Sequence, residues 1–411
     1  RKLKGAQSQI SVPNGSFQIA AAVSEGQYTT NSIQGNEGNQ GPYQLTGNNG
    51  ALSTLVVAGT ERVWIDGNRM IRGEDNDYTI DYTSAQITFT RNRLVTGDSR
   101  IIVDFEASDQ QYKRNLYVGR GEFSMGDRIS FGTTFIKESD DREGLNTITG
   151  PSPGVSVKAN DPGEEESIPL PSAQSLLAFD LQTVPVDGIT VSGEFAMSGF
   201  NENSLADQNR NRSLNGNAFI LKADVSPRHL QMGGKSLGDI TLHSLFRNVQ
   251  SSFTPAGRLD QAEYHRRYGQ GSNQAWKGQV LELGATHNLG KFTHIQGGIG
   301  RMTRPDGFIS NRRDITLGAT PISAMNLSYT FADYSTSSGT GTLQTIDDLS
   351  PAQSLENRWT RHQVRGSYTN KYIRPFIGAE QELQHQNADG SLNAGRNFSE
   401  ITAGFESVRF H

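Results

Sequence analysis

The chain has no cysteine in 411 residues. That excludes a disulfide framework, a thiol nucleophile and a thiolate metal site. Charge of one sign is also lacking. Lys and Arg number 38, Asp and Glu 43, and the formal net charge is −5. So even a balance leaves no basic footprint, and no nucleic-acid partner is expected. Long hydrophobic runs are missing as well. No stretch reaches the roughly 18 apolar residues of a membrane-spanning helix. Helical periodicity is scarce, because apolar residues at i, i+3, i+4 and i+7 persist nowhere for three turns. What the chain has is glycine, 45 residues, and aromatics, with 19 Phe, 12 Tyr and 3 Trp. Glycine beside much Asn, Gln and Ser would suit disorder, but that many aromatics do not suit a plain disordered chain.

Apolar residues alternate with period two in many places, bounded by Gly, Asn, Asp and Ser clusters. That pattern predicts an all-β protein. Residues 1–112 read as a polar segment followed by a small sandwich-like β domain. Gly35 to Tyr43 has loop chemistry. Residues 62–65 and 69–72 flank Asp66-Gly67-Asn68, a tight hairpin signal. Residues 78–82 and 86–90 flank Thr83-Ser84-Ala85, and 100–106 close the domain.

From residue 113 to 411 the segments lengthen to roughly 9–13 residues, the span of a tilted membrane strand. Ile189, Val191, Phe195 and Met197 alternate with Thr190, Ser192, Glu194 and Ala196. Phe219 and Leu221 alternate with Ile220, Lys222 and Asp224, and Leu327, Tyr329 and Phe331 with Ser328, Thr330 and Ala332. The connections alternate in length. Gly126-Asp127, 185–188, 288–290, 321–323 and 369–371 are short. Residues 139–173, 201–214, 254–275, 303–313, 335–359 and 386–395 are longer, and 227–235 is intermediate. This segregation predicts an antiparallel outer-membrane β-barrel, with tight turns on one side and loops on the other. Only every second residue then needs to be apolar, which reconciles a membrane address with a mean hydropathy of −0.56. Tyr117, Phe200, Phe253, Trp276, Tyr334, Trp359 and Tyr372 fall at strand ends and are expected in interfacial girdles.

About 13 strands are expected after residue 112, an odd count for a bacterial barrel. The chain opens at Arg1 and ends on Val408-Arg409-Phe410-His411 inside a strand-like pattern. An incomplete barrel, a piece of a longer protein, is therefore expected, with a processed mature chain as the alternative. The domain attaches opposite a short turn. It is extracellular, or folds back as a plug, or a strand has been missed.

Glu37-Gly38-Asn39-Gln40-Gly41-Pro42-Tyr43, Gly59 to Gly67, Arg72 to Tyr82, Gln86 to Thr90 and Asp98 to Phe105 carry a resemblance. They resemble large, mostly uncharacterised outer-membrane and cell-surface β proteins of the Bacteroidota. A related module occurs in the gliding-motility translocon SprA of type IX secretion. The resemblance covers residues 35–114, about a fifth of the chain. It implies an outer-membrane address and brings no catalytic residues. A translocation role is not carried over.

Candidate chemistry is thin. The eight histidines are His229, His243, His265, His287, His294, His362, His385 and His411, and none has a close metal spacing. His287 and His294 flank one turn, where a polar strand-end pair is expected. Gly119-Arg120-Gly121 and Gly297-Gly298-Ile299-Gly300 lack the strand-to-helix setting of a phosphate loop, so curvature or close packing is expected. Asp75, Asp77 and Asp81, and separately Asp207, Asn209, Asn211, Asn215 and Asn217, are oxygen-rich enough for calcium, with solvated loops as the default. Glu164-Glu165-Glu166 reads as an acidic loop. Arg128, Glu194, Lys222, Asp224, Arg374 and Glu380 are mixed in sign, as in a hydrated or plugged lumen.

These observations lead to a non-catalytic outer-membrane barrel, acting in passage, anchoring or assembly at the cell surface. No catalytic, cofactor-binding or metal-binding residue is expected, and no cofactor. The expected partners are outer-membrane lipid and other cell-envelope proteins. The alternative is a soluble secreted adhesin or surface module binding glycans or a protein, with polar residues on both strand faces. A rim-active enzyme would need a Ser, His and acid within reach of one another.

Overall fold

The computed structural model describes residues 3–24, 26–47, 55–97, 99–108, 114–140, 156–158, 165–167, 171–201, 204, 213–227, 231–232, 235–236, 238–262, 264–268, 277–290, 292–337, 354–388 and 391–407. Among them, no helix is long and apolar enough to cross a membrane. Two strands come first, β1 (Leu3–Val12) and β2 (Gly15–Ser24). A small domain follows: β3 (Gln27–Gln34), β4 (Tyr43–Gln44), β5 (Leu55–Val56), β6 (Arg62–Ile65), β7 (Asn68–Arg69), β8 (Tyr78–Asp81), β9 (Gln86–Phe89) and β10 (Arg100–Ser108). Longer strands then dominate: β11 (Arg114–Met125) and β12 (Ile129–Asp140), and, after the minor hairpin β13 (Ser156–Lys158) and β14 (Glu165–Ser167), β15 (Ala173–Val186), β16 (Ile189–Asn201) and β17 (Ser213–Val225). A second minor hairpin, β18 (Gln231–Met232) and β19 (Lys235–Ser236), precedes β20 (Asp239–Val249). The last seven are β21 (Gly278–Leu289), β22 (Thr293–Thr303), β23 (Ile309–Ala319), β24 (Met325–Ser337), β25 (Ser354–Tyr368), β26 (Ile373–Ala388) and β27 (Ser391–Ser407).

Fifteen strands form one antiparallel sheet in the order β1-β2-β11-β12-β15-β16-β17-β20-β21-β22-β23-β24-β25-β26-β27. Apart from the inserted domain and the two minor hairpins, it is a plain meander. The all-β class and the large antiparallel sheet agree with the sequence. The count after residue 112, thirteen sheet strands, does too. The barrel is not closed: among the described residues β1 pairs only with β2 and β27 only with β26.

The domain boundary needs correction. Residues 3–24 are not a polar lead into the small domain. They form β1 and β2, and β2 pairs with β11 along its whole length. The small domain is therefore an insertion, between β2 and β11. This also resolves the attachment problem. Counting along the meander, the turn at Pro13-Asn14 lies at the tight-turn end, with Asp127, Asp187, Gly290 and Tyr372. The domain lies at the other end, with the connections 141–172, 202–212, 250–277, 304–308 and 338–353. Two of the connections expected to be longer are short, at 304–308 and 389–390, because β22, β23, β26 and β27 extend further than the alternation indicated.

The register separates the two faces of the sheet. In one row Phe179, Phe195 and Phe219 lie side by side on β15, β16 and β17. On the same face every sheet strand presents exposed apolar residues, from Ile10 and Phe17 through Leu221, Leu283 and Leu327 to Ile401. The opposite face, one residue out of step, carries Arg120, Asp180, Glu194, Lys222, His243, Glu282, Arg312 and Glu380. Period-two alternation produces both faces from one sequence.

The inserted domain is a sandwich. A five-stranded sheet (β3-β10-β6-β7, with β5 on β10) and a three-stranded sheet (β4-β9-β8) enclose Val63, Ile65, Tyr78, Ile87, Phe89, Ile101, Val103 and Phe105. Asp66 and Gly67 both have positive φ, 51° and 80°, as the two-residue hairpin requires. The other face of β10 is buried too, at Ile102, Asp104 and Glu106. A strand buried on both sides has a second partner beyond its own core.

Candidate functional site

That second partner includes the connection between β20 and β21. The sequence suggests an outward polar loop at 254–275. Instead its described part, residues 250–262 and 264–268, folds over the polar face of the sheet and also meets the inserted domain.

Three contacts fix its path. Phe253 is buried against Ala178, Ala196, Ala218 and Val249, on neighbouring strands of the polar face. The small side chains of that row leave room for the ring, and Gly216 leaves room for the backbone. A Cβ at Gly216 would collide with the Phe253 backbone. Further along, the 3-10 turn His265–Tyr268 lays Tyr268, fully buried, against Val280, Met302 and Phe308. Gly300 lies beneath the Tyr268 hydroxyl, and a Cβ there would strike it. Between these anchors, Arg258 leaves the sheet and enters the inserted domain. Its Nε donates to Asp104 Oδ2 at 2.7 Å, and its guanidinium stacks 5.3 Å from the Trp64 ring centroid. Thr30 donates its hydroxyl to the same carboxylate at 2.8 Å.

Charge holds the loop to the wall. Arg247 on β20 pairs with Asp260, both almost wholly buried. Arg247 also lies over the Tyr264 ring, 5.1 Å from its centroid. Tyr264 and Tyr268 both donate hydroxyls to Glu282 Oε1, at 3.1 and 2.5 Å. Burial pushes both phenols well above the usual tyrosine range. The Glu282 carboxylate adds to this for Tyr264, and the neighbouring Tyr264 and then Glu282 add to it for Tyr268. A phenol whose folded pKa is raised contributes stability below its unfolded value, about 10. That contribution is lost as pH rises through the folded value. Absorbance titration at 295 nm should thus leave Tyr264 and Tyr268 un-ionised at pH 10.5 in the folded protein. Tyr264→Phe and Tyr268→Phe should leave that titration curve unchanged until the protein unfolds in stronger base. Normal ionisation of either phenol in the folded state would contradict this.

Valine at position 216 or 300 should release the loop. Overpacking at such contacts costs about 1–3 kcal/mol. Limited proteolysis within 250–268 should quicken in Gly216→Val and Gly300→Val, with the sheet intact by circular dichroism. Unchanged cleavage in both would contradict the infolded path.

Beside Phe253, the polar face of β11, β12, β15, β16 and β17 forms a groove of about 350 Å³. Arg120 organises one wall. It donates to Glu122 at 2.7 Å, Thr134 at 2.6 Å and Asp180 at 2.9 and 3.3 Å. Glu194 and Lys222 line the groove without an ion pair or a side-chain hydrogen bond among the described residues.

The other sequence candidates fall apart or fall elsewhere. Glu194, Lys222, Asp224 and Glu380 share the polar face, as expected. Glu380 takes Arg361 at 2.7 Å, and Asp224 takes His243 Nδ1 at 2.6 Å. Arg128 sits in a tight turn, on Asp187, and Arg374 at the same rim, on Thr369. His287 and His294 do not meet. His294 pairs in register with Asn288 and bonds its Oδ1 at 2.7 Å, so one residue of offset puts His287 on the opposite face. Asp77 and Asp81 bind backbone amides of their own turns, through Ile71 for the first and Thr83 and Ser84 for the second. No group of three potential metal ligands occurs among the described residues. Gly119 has nothing near it, whereas Gly300 serves close packing. Four girdle assignments need correction, Phe200 among them, since it is in step with Glu194 on the polar face. Phe253 is buried between its own loop and the sheet, and Tyr334 and Trp359 stack on each other on the polar face, centroids 5.1 Å apart. Tyr117 and Tyr372 are exposed, as a girdle needs. Asp207, Asn209, Asn211, Glu164, His229, Trp276 and His411 lie outside the described residues, as do the side chains of Glu165, Glu166, His265 and His385.

The groove and the infolded loop were not foreseen. The one sequence signal for them was the row of small residues at Ala178, Ala196, Gly216 and Ala218.

Residues 28–109 match a family described as a domain of unknown function, DUF8818. The match coincides with the inserted sandwich and leaves the large sheet outside it. No curated protein matches the chain. Among solved structures, a mutant of the ferric enterobactin receptor PfeA from Pseudomonas aeruginosa aligns at 10% identity and TM-score 0.39, over 98% of this chain and 57% of its own. The siderophore receptor PirA from Acinetobacter baumannii aligns at 7% identity and TM-score 0.37, over 99% of this chain and 59% of its own. The chain thus spans less than three fifths of the length of either receptor.

Proposed function

We propose that this chain is the strand-bearing part of an outer-membrane β protein, acting in passage, anchoring or assembly at the cell surface. One observation carries the reading: all fifteen sheet strands expose apolar side chains on one face, while the other is charged and polar. In water such a belt would be an aggregation surface far larger than a soluble protein tolerates. Against hydrocarbon it is the expected solution, because the sheet also satisfies its backbone between strands. The strands have 10 to 17 residues, enough to cross where about 9–11 suffice. The soluble-adhesin alternative requires polar residues on both faces, and the belt argues against it.

Orientation follows from the connections. Tight turns face the periplasm and long loops the exterior. The inserted domain then stands outside, above a polar face partly covered by the 250–268 loop. The resemblance to Bacteroidota surface proteins agrees with this address.

Fractionation tests the proposal. The protein should sediment with outer membrane and require detergent for extraction. Protease added to intact cells should reach the inserted domain. A protein soluble without detergent would sink the membrane reading, and a domain protected in intact cells would reverse the orientation.

A further inference from the structure

We propose that the groove on the polar face of β11 to β17 binds a small zwitterionic solute of the amino-acid or short-peptide class. The volume, about 350 Å³, is in the range of small-molecule sites. The polar groups lining it are unevenly used. On one wall Arg120 is saturated by Glu122, Asp180 and Thr134. On the other wall Glu194 and Lys222 lie diagonally across neighbouring strands, since Ser192 is the register partner of Lys222. Neither has an ion pair or side-chain hydrogen bond among the described residues. The Ser130, Ser192 and Gln182 side chains also face the groove without a side-chain bond.

The rest of the polar face makes the contrast. Around β20 to β23, Arg247, Glu282 and their neighbours are used by the 250–268 loop. No described residue of the loop lines the groove; Phe253 sits beside it, one register row away, on Ala178, Ala196 and Ala218. An unpaired ammonium and an unpaired carboxylate in one groove favour a ligand with both charges. The solute's carboxylate meets Lys222 and its ammonium meets Glu194, each a charge-assisted hydrogen bond. A singly charged ion satisfies one group and leaves the other unmatched. The serines and Gln182 then bind the intervening amide.

This site rests on the reading that the polar face is wet, and its test separates the two. The full chain in detergent micelles is titrated calorimetrically with glycylglycine, and in parallel with the N-acetylated, C-amidated dipeptide. Glycylglycine should bind, and the blocked form should bind at least about tenfold more weakly, as expected when charged partners are lost. Glu194→Gln and Lys222→Met should each weaken glycylglycine about tenfold, and Lys222→Arg should retain it. Thermal melts matching the parent confirm that the variants fold. No binding, equal binding of free and blocked dipeptides, or unchanged binding in both variants would overturn the site. Vesicle uptake is read separately. Binding without uptake supports the site while removing passage from the proposed function.

Discussion

Replacing Arg258 with alanine is expected to loosen the inserted domain from the rest of the protein, at a cost of about 3–5 kcal/mol. The size comes from what is left behind. Asp104 sits on β10, a strand covered on both faces, and its side chain is only 6% exposed. Arg258 supplies the opposite charge and covers Trp64 as well. Without it a carboxylate stays buried with only neutral hydroxyls, those of Thr30 and Tyr28, beside it. Thr30 keeps the loss toward the lower end of the range. Asp104→Asn combined with Arg258→Met should recover part of it, because no buried charge then lacks a partner. The readouts are thermal unfolding and proteolysis at the domain boundaries in the intact chain. Arg258→Ala with unchanged melting and cleavage would show that the domain does not dock through this loop.

The second large effect belongs to the apolar face. Leu221→Arg places a charge at the middle of β17, on the face where Phe195 and Phe219 also lie. At the bilayer midplane this costs about 2–4 kcal/mol. Phe195→Arg, Leu327→Arg and Phe331→Arg should behave alike. Each should reduce the yield of membrane-inserted, heat-modifiable protein on gels. Lys222→Leu, one residue away on the opposite face, should assemble normally. Tolerance of arginine at all four positions would favour a soluble protein.

Much of this was legible in the residues. The alternation of Ile189, Val191, Phe195 and Met197 fixes both the strand and the face, because a one-residue slip would exchange the apolar and the polar face. The hairpin at Asp66-Gly67 was legible for the same local reason: its backbone demands positive φ twice. β1 and β2 were not. Their faces are diluted by Gly5, Ala6, Ala20, Ala21 and Ala22, so Ile10, Phe17 and Ile19 gave too short an apolar signal. Pairing between β2 and β11 spans the whole inserted domain, and nothing local announces it.

The infolded loop was hidden for a related reason. Residues 250–268 are polar and punctuated, as outward loops are. What draws them in lies elsewhere in the chain, at Gly216, Gly300, Ala196 and Asp104. A glycine in a strand announces space without saying what fills it. Likewise Glu194 and Lys222 were legible as polar-face residues. That they stay unpaired while Arg120 is saturated depends on register across five strands.

The central claim is that one face of the sheet meets lipid and the other water. The absence of cysteine makes it directly measurable, since each introduced thiol is the only one present. Spin labels at positions 193, 194, 195, 221, 222, 327 and 328, one per variant, are read by collision with oxygen and with a water-soluble nickel complex in reconstituted membranes. Oxygen access should dominate at 193, 195, 221 and 327, and nickel access at 194, 222 and 328. Equal access to the nickel complex at every position would contradict the account.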